Sequence, residues 1–268
     1  MTGPAGPGRP PVVAGLRLAL TTLTVLPLRA GRMDRRTAAL AMAWAPAVGL
    51  ALGAVLAAVA RGLTGLGLAP LPTAAVLVAL AALLTRGLHL DGLADTFDAL
   101  GSYTAADRAL AIMKSAEVGP LGVSAIAAVL LADAAALSAL VARHGWLLIA
   151  AGIAVGRLGI TLCCARPVPA ARPDGLGALV AGTMPVPACA AWALGMIAVG
   201  AVAGRLSPGS DWPWAHWIRA GLAVLLAGAA VLLLARHCVR RFGGVTGDVL
   251  GAACELATAI GLLALSTA

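Results

Sequence analysis

The feature that most constrains this chain is a series of apolar segments close to 20 residues long, separated by short polar loops. About 20 helical residues cross the ~30 Å hydrocarbon core of a bilayer. Only 11% of the 268 residues are charged, against about 25% in a soluble domain. The predicted spans are 38–60, 70–90, 119–142, 146–164, 186–204, 218–235 and 249–267. We therefore expect an all-α, polytopic membrane bundle of about seven transmembrane helices.

The N-terminal region is the least regular part of this pattern. Residues 12–28 are apolar but contain Arg17 and end near Pro27, so they fit either a short span or an interfacial helix. The stretch 1–11, MTGPAGPGRPP, lacks the basic-then-apolar layout of a cleaved signal peptide, and we expect a short disordered tail. Residues 12–268 are expected to form a single membrane-embedded catalytic domain.

The Lys and Arg residues of the loops predict which ends of the spans share a side. Eleven fall in one set of loops, which is therefore predicted to be cytoplasmic: Arg29, Arg32, Arg35, Arg36, Arg108, Lys114, Arg166, Arg172, Arg236, Arg240 and Arg241. The opposite set has four: Arg61, Arg143, Arg205 and Arg219. The acid-containing loops 91–118, 165–185 and 236–248 then lie together on the cytoplasmic face.

The net charge is +8, and the basic residues lie between apolar runs, as membrane anchors do. No basic patch carries interleaved aromatic residues, which argues against nucleic acid as a partner. Membrane lipid is the expected surrounding. Both a monomer and an oligomer are compatible with the pattern.

The stretch GLHLDGLADTFDALG, residues 87–101, places three aspartates directly after an apolar run. Spacings of four and three put Asp91, Asp95 and Asp98 on one face of a helix. Such carboxylates repel one another unless a cation neutralises them, and oxygen ligands favour Mg²⁺ or Mn²⁺ over Zn²⁺. Mg²⁺ also binds substrate phosphates, and Gly92 leaves room for a phosphate to come close. The alternative interpretation is a solvated helix end after a span.

Basic residues that can balance phosphate charge follow the aspartates. Lys114, with Arg108 in the same loop, is either a phosphate clamp or a positive-inside anchor. Arg157 lies well inside the apolar run IAAGIAVGRLGITLCC, where a charge needs a partner or water. The alternative is that the Arg157 side chain extends along the helix so that its charged group reaches the membrane–water interface. His89, before the first aspartate, is either structural or a residue that positions a phosphate.

The stretch RRFGGVTGDVLGAACELATA contains a second acidic pair. Asp248 and Glu255 are seven residues apart and share a helix face, and Glu255 lies inside the final span, where it needs a cation nearby. The turn before the helix, with Thr246 and Gly247, can present backbone N–H groups to a phosphate. Together the motifs predict a divalent-metal, phosphate-handling site, and metal-assisted phosphoryl transfer fits it.

At these residues the chain resembles a known family. The motifs GLHLDGLADTFDALGS, AIMK with VGPLG, VGRLGIT and VTGDVLGAACEL resemble those of the cobalamin synthases, the adenosylcobinamide-GDP ribazoletransferases. The resemblance covers nearly the whole chain in order, and HLDGLADTFDA is its most specific part. It implies an integral enzyme of the bacterial inner membrane at the last stage of cobalamin (vitamin B12) biosynthesis. Such enzymes require Mg²⁺ and join adenosylcobinamide-GDP to α-ribazole or its 5′-phosphate, releasing GMP.

The resemblance also implies roles for individual residues. The catalytic, metal-holding carboxylates would be Asp91, Asp95 and Asp98, the last directly or through water. Asp248 and Glu255 would hold a second metal or a substrate. The substrate-binding residues would be His89, Gly92, Lys114, Arg157, Arg166, Thr246 and Gly247. In this assignment Mg²⁺ lies against the diphosphate of the GDP-activated corrinoid, and the basic residues balance the charge of the transition state.

The chain departs from the family's pattern after Lys114. There the family pattern has a basic residue, Asp-Ser and another basic residue, whereas this chain continues with Ser115, Ala116 and Glu117. If the missing aspartate is an essential ligand or base, its role falls to another carboxylate, and Glu117 is the nearest.

Two other protein classes compete with this interpretation. CDP-alcohol phosphatidyltransferases also carry aspartates at a cytosolic helix end, but the Ala-Arg of their pattern is missing after Asp91-Gly92. Release of CMP from a CDP-alcohol would support that class. A cation-coupled transporter should place ionisable groups near the bilayer midplane, whereas most acids here lie at one edge. Metal-dependent flux without nucleotide release would support a transporter.

Overall fold

The computed structural model describes residues 11–28, 33–208 and 214–267. Within these ranges the structure is helical, with two isolated β-bridges and no strand. The helices are α1 (Pro11–Leu23), α2 (Arg35–Gly65), α3 (Pro70–Leu84), α4 (Leu88–Gly101), α5 (Ala106–Ile112), α6 (Pro120–Ala142), α7 (Trp146–Cys163), α8 (Gly175–Val180), α9 (Val186–Arg205), α10 (Ala215–Phe242) and α11 (Gly247–Ser266). Arg29, Arg32 and the predicted tail lie outside the described residues, except for Pro11, which begins α1. The all-α prediction is confirmed.

Six helices of the described chain are long and apolar enough to cross a membrane: α2, α6, α7, α9, α10 and α11. Helices α3 and α4 are long and apolar enough only when they are taken together. Counting this bent pair as one span gives seven candidate spans. Helix α1 has 13 residues, about 20 Å, and packs on α2, so it is too short to cross the hydrocarbon core alone. The prediction of a polytopic helical bundle with about seven spans is confirmed.

The segment predicted as one span at 70–90 is divided in two. Helix α3 ends at Leu84, and α4 begins at Leu88 with its axis bent by 88°. Arg86 and Gly87 between them have φ angles of 57° and 66°, the left-handed conformation in which helices often end. The three aspartates therefore lie on a separate helix that crosses the end of the bundle.

Helices α2, α7 and α11 pack closely in the centre through small residues, as expected for helices in lipid. A Cβ atom at Gly49 of α2 would lie 2.9 Å from the Cα atom of Ala154 in α7, and one at Gly53 would lie 2.6 Å from that of Ala150. On the other side of α7, a side chain at Gly156 would collide with Thr258 of α11. Helix α11, which carries the second acidic motif, is thus held against α7 and cannot separate from it without losing this contact.

The three loops predicted to share one face do meet at one end of the bundle. Arg172, in the loop after α7, donates to the Leu110 carbonyl of α5 at 2.6 Å. The same loop is tied to the start of α11, because the N–H of Ala171 donates to the Val245 carbonyl at 3.0 Å. Residues far apart in sequence therefore surround one site.

Candidate functional site

A cavity of about 310 Å³ lies where the starts of α4 and α11 meet the loop between α7 and α8. Its charged lining residues are Asp91, Arg172, Asp174 and Asp248. Its large apolar lining residues include Leu23, Met42, Ile160, Leu176 and Leu250. The cavity therefore brings the two acidic motifs, which lie in opposite halves of the chain, into one site.

The start of α11 holds Asp248 at the cavity wall. Thr246 is the N-cap residue, and its hydroxyl accepts the N–H of Val249 at 3.3 Å and donates to Asp248 Oδ2 at 3.1 Å. Thr246 is buried, and both it and Gly247 line the cavity. The predicted helix start at this turn is present. Since the N-terminus of a helix favours negative charge, it suits a phosphate.

Asp95 lies one turn after Asp91 on α4 and is partly buried. The carboxylates of Asp91, Asp248 and Asp98 repel the Asp95 carboxylate, whereas the Arg172 guanidinium attracts it. A divalent cation would relieve the repulsion among these carboxylates. The donor set at this end of the site consists of carboxylate oxygens, which is the set that Mg²⁺ prefers.

The spacing of these carboxylates limits how an ion can bind. Among the described residues, the one group of three or more potential ligands with all donor atoms within 4.8 Å of one another is His89, Cys254 and Glu255, which includes none of the aspartates. An ion at the aspartates would thus contact one or two carboxylates directly and fill its shell with water and phosphate oxygens. Mg²⁺ commonly binds in this way, so the residues fit that metal.

Asp98 is directed toward the N-terminus of α6. Its Oδ2 accepts the N–H of Gly119 at 2.7 Å, and its Oδ1 accepts the N–H of Gly122 at 2.8 Å. A side chain at either glycine would collide with the carboxylate, and Pro120 at the first helical position needs no N–H partner. The VGPLG motif therefore forms the N-terminus of α6, and the Asp98 carboxylate caps it. A metal or catalytic role for Asp98 stays a prediction.

Gly92 is buried where α4 crosses α11. A Cβ atom at this position would lie 2.7 Å from the Asp248 carbonyl oxygen, and one at Gly251 would lie 3.3 Å from the Gly92 Cα atom. The backbone of α11 fills the space that the motif suggests for a phosphate, which corrects that expectation. The two glycines instead let the helices approach closely enough for Asp91 and Asp248 to share the cavity.

Three basic side chains have different positions relative to the cavity. Arg172 lines it but was not among the predicted binding residues, because a loop arginine has the same sequence signature as a positive-inside anchor. The Lys114 Nζ atom lies 4.0 Å from Asp174 Oδ2 at the rim, with both side chains exposed. Arg166 is exposed and does not line the cavity.

A second group of ionisable residues lies inside the bundle: His89, Asp133 and Arg157, which are buried, and Glu255, which is partly buried. The last three line a space of only about 30 Å³. Arg157 interacts electrostatically with both acids. His89 connects the two sites, because it lines the open cavity and its Nδ1 lies 3.9 Å from Glu255 Oε1. We call these four residues the buried cluster.

The position of the buried cluster bears on two predicted roles. Asp248 and Glu255 do not line a common cavity, since seven residues correspond to about 10 Å along a helix. That these two carboxylates hold a second metal or a substrate stays a prediction. Arg157 lies in the buried cluster instead of beside the open cavity, so it is not placed to clamp a phosphate bound there.

Asp133 was missed by the sequence analysis. It lies in the middle of α6, and only 7% of it is exposed. The signal was present in the stretch LLADAAAL, because an acidic residue inside a span is expensive unless it has a partner. Its partner could not be read from the sequence, since Arg157 lies on another helix.

The helices and the cavity define a class: a polytopic membrane protein with a carboxylate-lined site suited to metal and phosphate. The model of the cobalamin-5-phosphate synthase family matches residues 15–266, and the chain belongs to this family. The predicted family is thereby confirmed.

Similar proteins carry a transferase name. A protein from Frankia casuarinae named adenosylcobinamide-GDP ribazoletransferase is 45% identical over 260 residues, which cover 93% of each chain. Proteins of the same name from a Nocardioides species and from Corynebacterium efficiens are 42% and 41% identical, and the matches cover 92% and 94% of this chain and 96% and 90% of theirs. No solved structure matches the chain. The prediction that the chain is an enzyme of this transferase family is confirmed.

Proposed function

We propose that the protein is a Mg²⁺-dependent phosphotransferase that joins adenosylcobinamide-GDP to α-ribazole or α-ribazole 5′-phosphate. The products are adenosylcobalamin or its 5′-phosphate and GMP. The observation that carries this proposal is the convergence of Asp91, Asp248, Thr246 and Arg172 on one cavity in a member of this family. Carboxylates, a cation and a helix N-terminus are the groups that phosphoryl transfer uses.

In the proposed reaction, a ribose hydroxyl oxygen of the acceptor bonds to the phosphorus on the corrinoid side of the diphosphate. The bond from that phosphorus to the bridging oxygen breaks, and GMP leaves with that oxygen. The hydroxyl proton passes to a carboxylate of the site. Bound Mg²⁺ would supply charge neutralisation for the diphosphate. The residues that would hold it, one or two of them directly and the others through water, are Asp91, Asp95 and Asp248.

The protein's own groups would orient and balance the donor. The Arg172 guanidinium can donate to phosphate oxygens from the cavity wall, and Lys114 can do so from the rim. The start of α11 adds backbone N–H groups beside Thr246, where the helix favours an anion. Asp98 would act by holding α6 against α4, which keeps the aspartate helix in place.

We also propose that the site faces the cytoplasm of a bacterium, in its inner membrane. The support is the excess of Lys and Arg in the loops at the same end of the bundle as the cavity. Both proposed substrates carry polar groups, and a site at the membrane edge leaves those groups in contact with water. Lipid would surround the apolar outer faces of the spans.

The test is an activity assay on the purified full chain in detergent or lipid. Adenosylcobinamide-GDP is mixed with α-ribazole or its 5′-phosphate, with Mg²⁺ or EDTA, and GMP and the corrinoid product are followed by chromatography. We expect equimolar GMP and product with Mg²⁺ and none with EDTA. Absence of product with both acceptors, in protein that is folded and loaded with Mg²⁺, would overturn the proposal. CMP release from CDP-alcohols would then be measured.

A further inference from the structure

The open cavity has a polar rim and an apolar floor. Asp91 and Asp248 are at the rim, where Asp91 is exposed and Asp248 partly so. The floor contains Met42, Ile160 and Leu250, which are 2%, 2% and 3% exposed, and His89, which is 3% exposed, also lines the cavity. An occupant must therefore present an apolar part inward and a polar part outward.

The size of the cavity limits which part of the two substrates can enter it. Its volume of about 310 Å³ is near the lower end of the ~300–1,000 Å³ range of ligand cavities. A small nucleoside fits such a volume. A corrin ring with its amide side chains and attached nucleotide is several times larger, so the corrinoid of the donor must stay outside.

The chemistry of the floor indicates which of two bases it can bind: the guanine of the donor or the base of the nucleoside acceptor. Guanine carries hydrogen-bond donors and acceptors around its rings, and burial without partners costs free energy. Met42, Ile160 and Leu250 offer no donor and only a weak thioether acceptor, and the single imidazole of His89 can pair with only one or two of the polar atoms of guanine. The base of the acceptor is a fused aromatic ring with two methyl groups and no N–H donor, and a flexible methionine packs well against such a ring.

We propose that this cavity is the binding site of the nucleoside acceptor, a proposal that rests on the proposed function. The apolar base lies on Met42, Ile160 and Leu250, and the ribose points outward to Asp91 and Asp248. The donor then binds across the rim, with its diphosphate near Arg172 and its corrinoid outside the cavity. This arrangement brings the attacking hydroxyl to the carboxylate end of the site.

The first experiment uses the wild-type protein in detergent and α-ribazole alone, without any donor. Isothermal titration calorimetry should detect one site per chain, and guanosine should not displace the ligand at a hundredfold excess. A benzimidazole riboside without the methyl groups should bind more weakly, by about tenfold, since each lost methyl removes apolar contact. Displacement by guanosine, or no binding without the donor, would overturn the assignment.

The second experiment separates the two substrates kinetically. Met42→Ala should raise KM for α-ribazole about tenfold and leave KM for adenosylcobinamide-GDP within about twofold. The matched control is Met196→Ala, because Met196 is equally buried (3% exposed) but does not line the cavity. An equal rise in both KM values for Met42→Ala, or the same split for Met196→Ala, would overturn the proposal.

Two controls keep these outcomes interpretable. Circular dichroism and size-exclusion chromatography show whether Met42→Ala is folded, and the wild-type competition with guanosine needs no variant at all. Wild-type coupling with GMP release tests the proposed function separately. If coupling occurs and the KM split does not, only the acceptor site is wrong. If the wild type does not couple, both proposals are wrong.

Discussion

The open cavity and the buried cluster contain the same kinds of residue but differ in their access to water. At the cavity, Asp91 is exposed and Asp248 partly exposed, and the surrounding space holds about 310 Å³. In the buried cluster, Asp133 and Glu255 lie around a space of about 30 Å³ beside Arg157. The first arrangement can admit a cation and a substrate. The second has room for one or a few water molecules at most.

This difference shows that an intramembrane charge need not belong to the reacting site. Carboxylates that face water keep their charge without a partner and remain available to a ligand. Carboxylates inside the bundle need a compensating charge or a bound proton, and Arg157 is a cation that interacts electrostatically with both Asp133 and Glu255. We therefore expect the open cavity to control turnover and the buried cluster to control stability.

The largest expected effect is at the open cavity. Asp91→Asn should lower kcat/KM by at least about 1,000-fold, because metal-assisted charge stabilisation is worth several kcal/mol. GMP release measures it, with thermal unfolding as a check that the variant folds. The control is Asp107→Asn, an exposed acid on α5 that should keep full activity. Wild-type turnover of Asp91→Asn at saturating Mg²⁺ would contradict the assignment of the site.

The buried cluster should respond in stability. Arg157→Met leaves Asp133 and Glu255 without their compensating cation and should lower the free energy of unfolding by about 3 kcal/mol. Denaturant unfolding in detergent measures the loss. Adding Asp133→Asn and Glu255→Gln removes the uncompensated charges and should restore most of the stability. If Arg157→Met were stable but inactive, Arg157 would belong to the reacting site. The open cavity and the buried cluster would then not differ in function.

The two cations near the cavity sharpen the comparison. Arg172→Ala should raise KM for the GDP-activated donor by about 10- to 100-fold, because a charge-assisted hydrogen bond is worth about 1.5–3 kcal/mol. Lys114→Ala should change KM less than about threefold, since its exposed ion pair with Asp174 is weak and screened. Initial rates at varied donor concentration measure both values. Equal increases in KM for the two variants would contradict this difference, because Lys114 at the rim would then bind the donor as strongly as Arg172 at the cavity wall.

The smallest expected effect on stability is at Asp98, which caps the N-terminus of α6. Asp98→Ala removes two hydrogen bonds from the N-terminus of α6 and should cost about 1–2 kcal/mol of stability. Asp98→Asn keeps one acceptor oxygen and should lose less. Thermal unfolding and GMP release are measured together, with Asp107→Ala as the unaffected control. Lost activity at unchanged stability would show that Asp98 is a metal ligand.

Several features of this protein were predictable because they depend on local pattern alone. Apolar length predicts the spans, and the 3.6-residue period predicts that Asp91 and Asp95 share a helix face. The turn before Asp248 predicts a helix start, and Thr246 caps it. The family motifs predicted the transferase family. Each of these inferences needs only neighbours within a few residues or a pattern of residues in order.

The functions of the glycines and the partners of the charges depended on the tertiary structure. Gly92 occurs in a motif that suggests phosphate binding, but it provides close contact with α11, and Gly119 and Gly122 provide close contact with Asp98. Arg172 could not be distinguished from other loop arginines until its loop was joined to the start of α11.

The sequence by itself determined which residues enter the membrane and which helices carry acids, because apolar length and helical period are local properties. Only the tertiary structure decided that Asp91 and Asp248 share an open cavity while Glu255 lies with Arg157 and Asp133 in the buried cluster. The physical reason is that the state of a carboxylate depends on its exposure to water and on nearby charges. Both are set by which helices pack together.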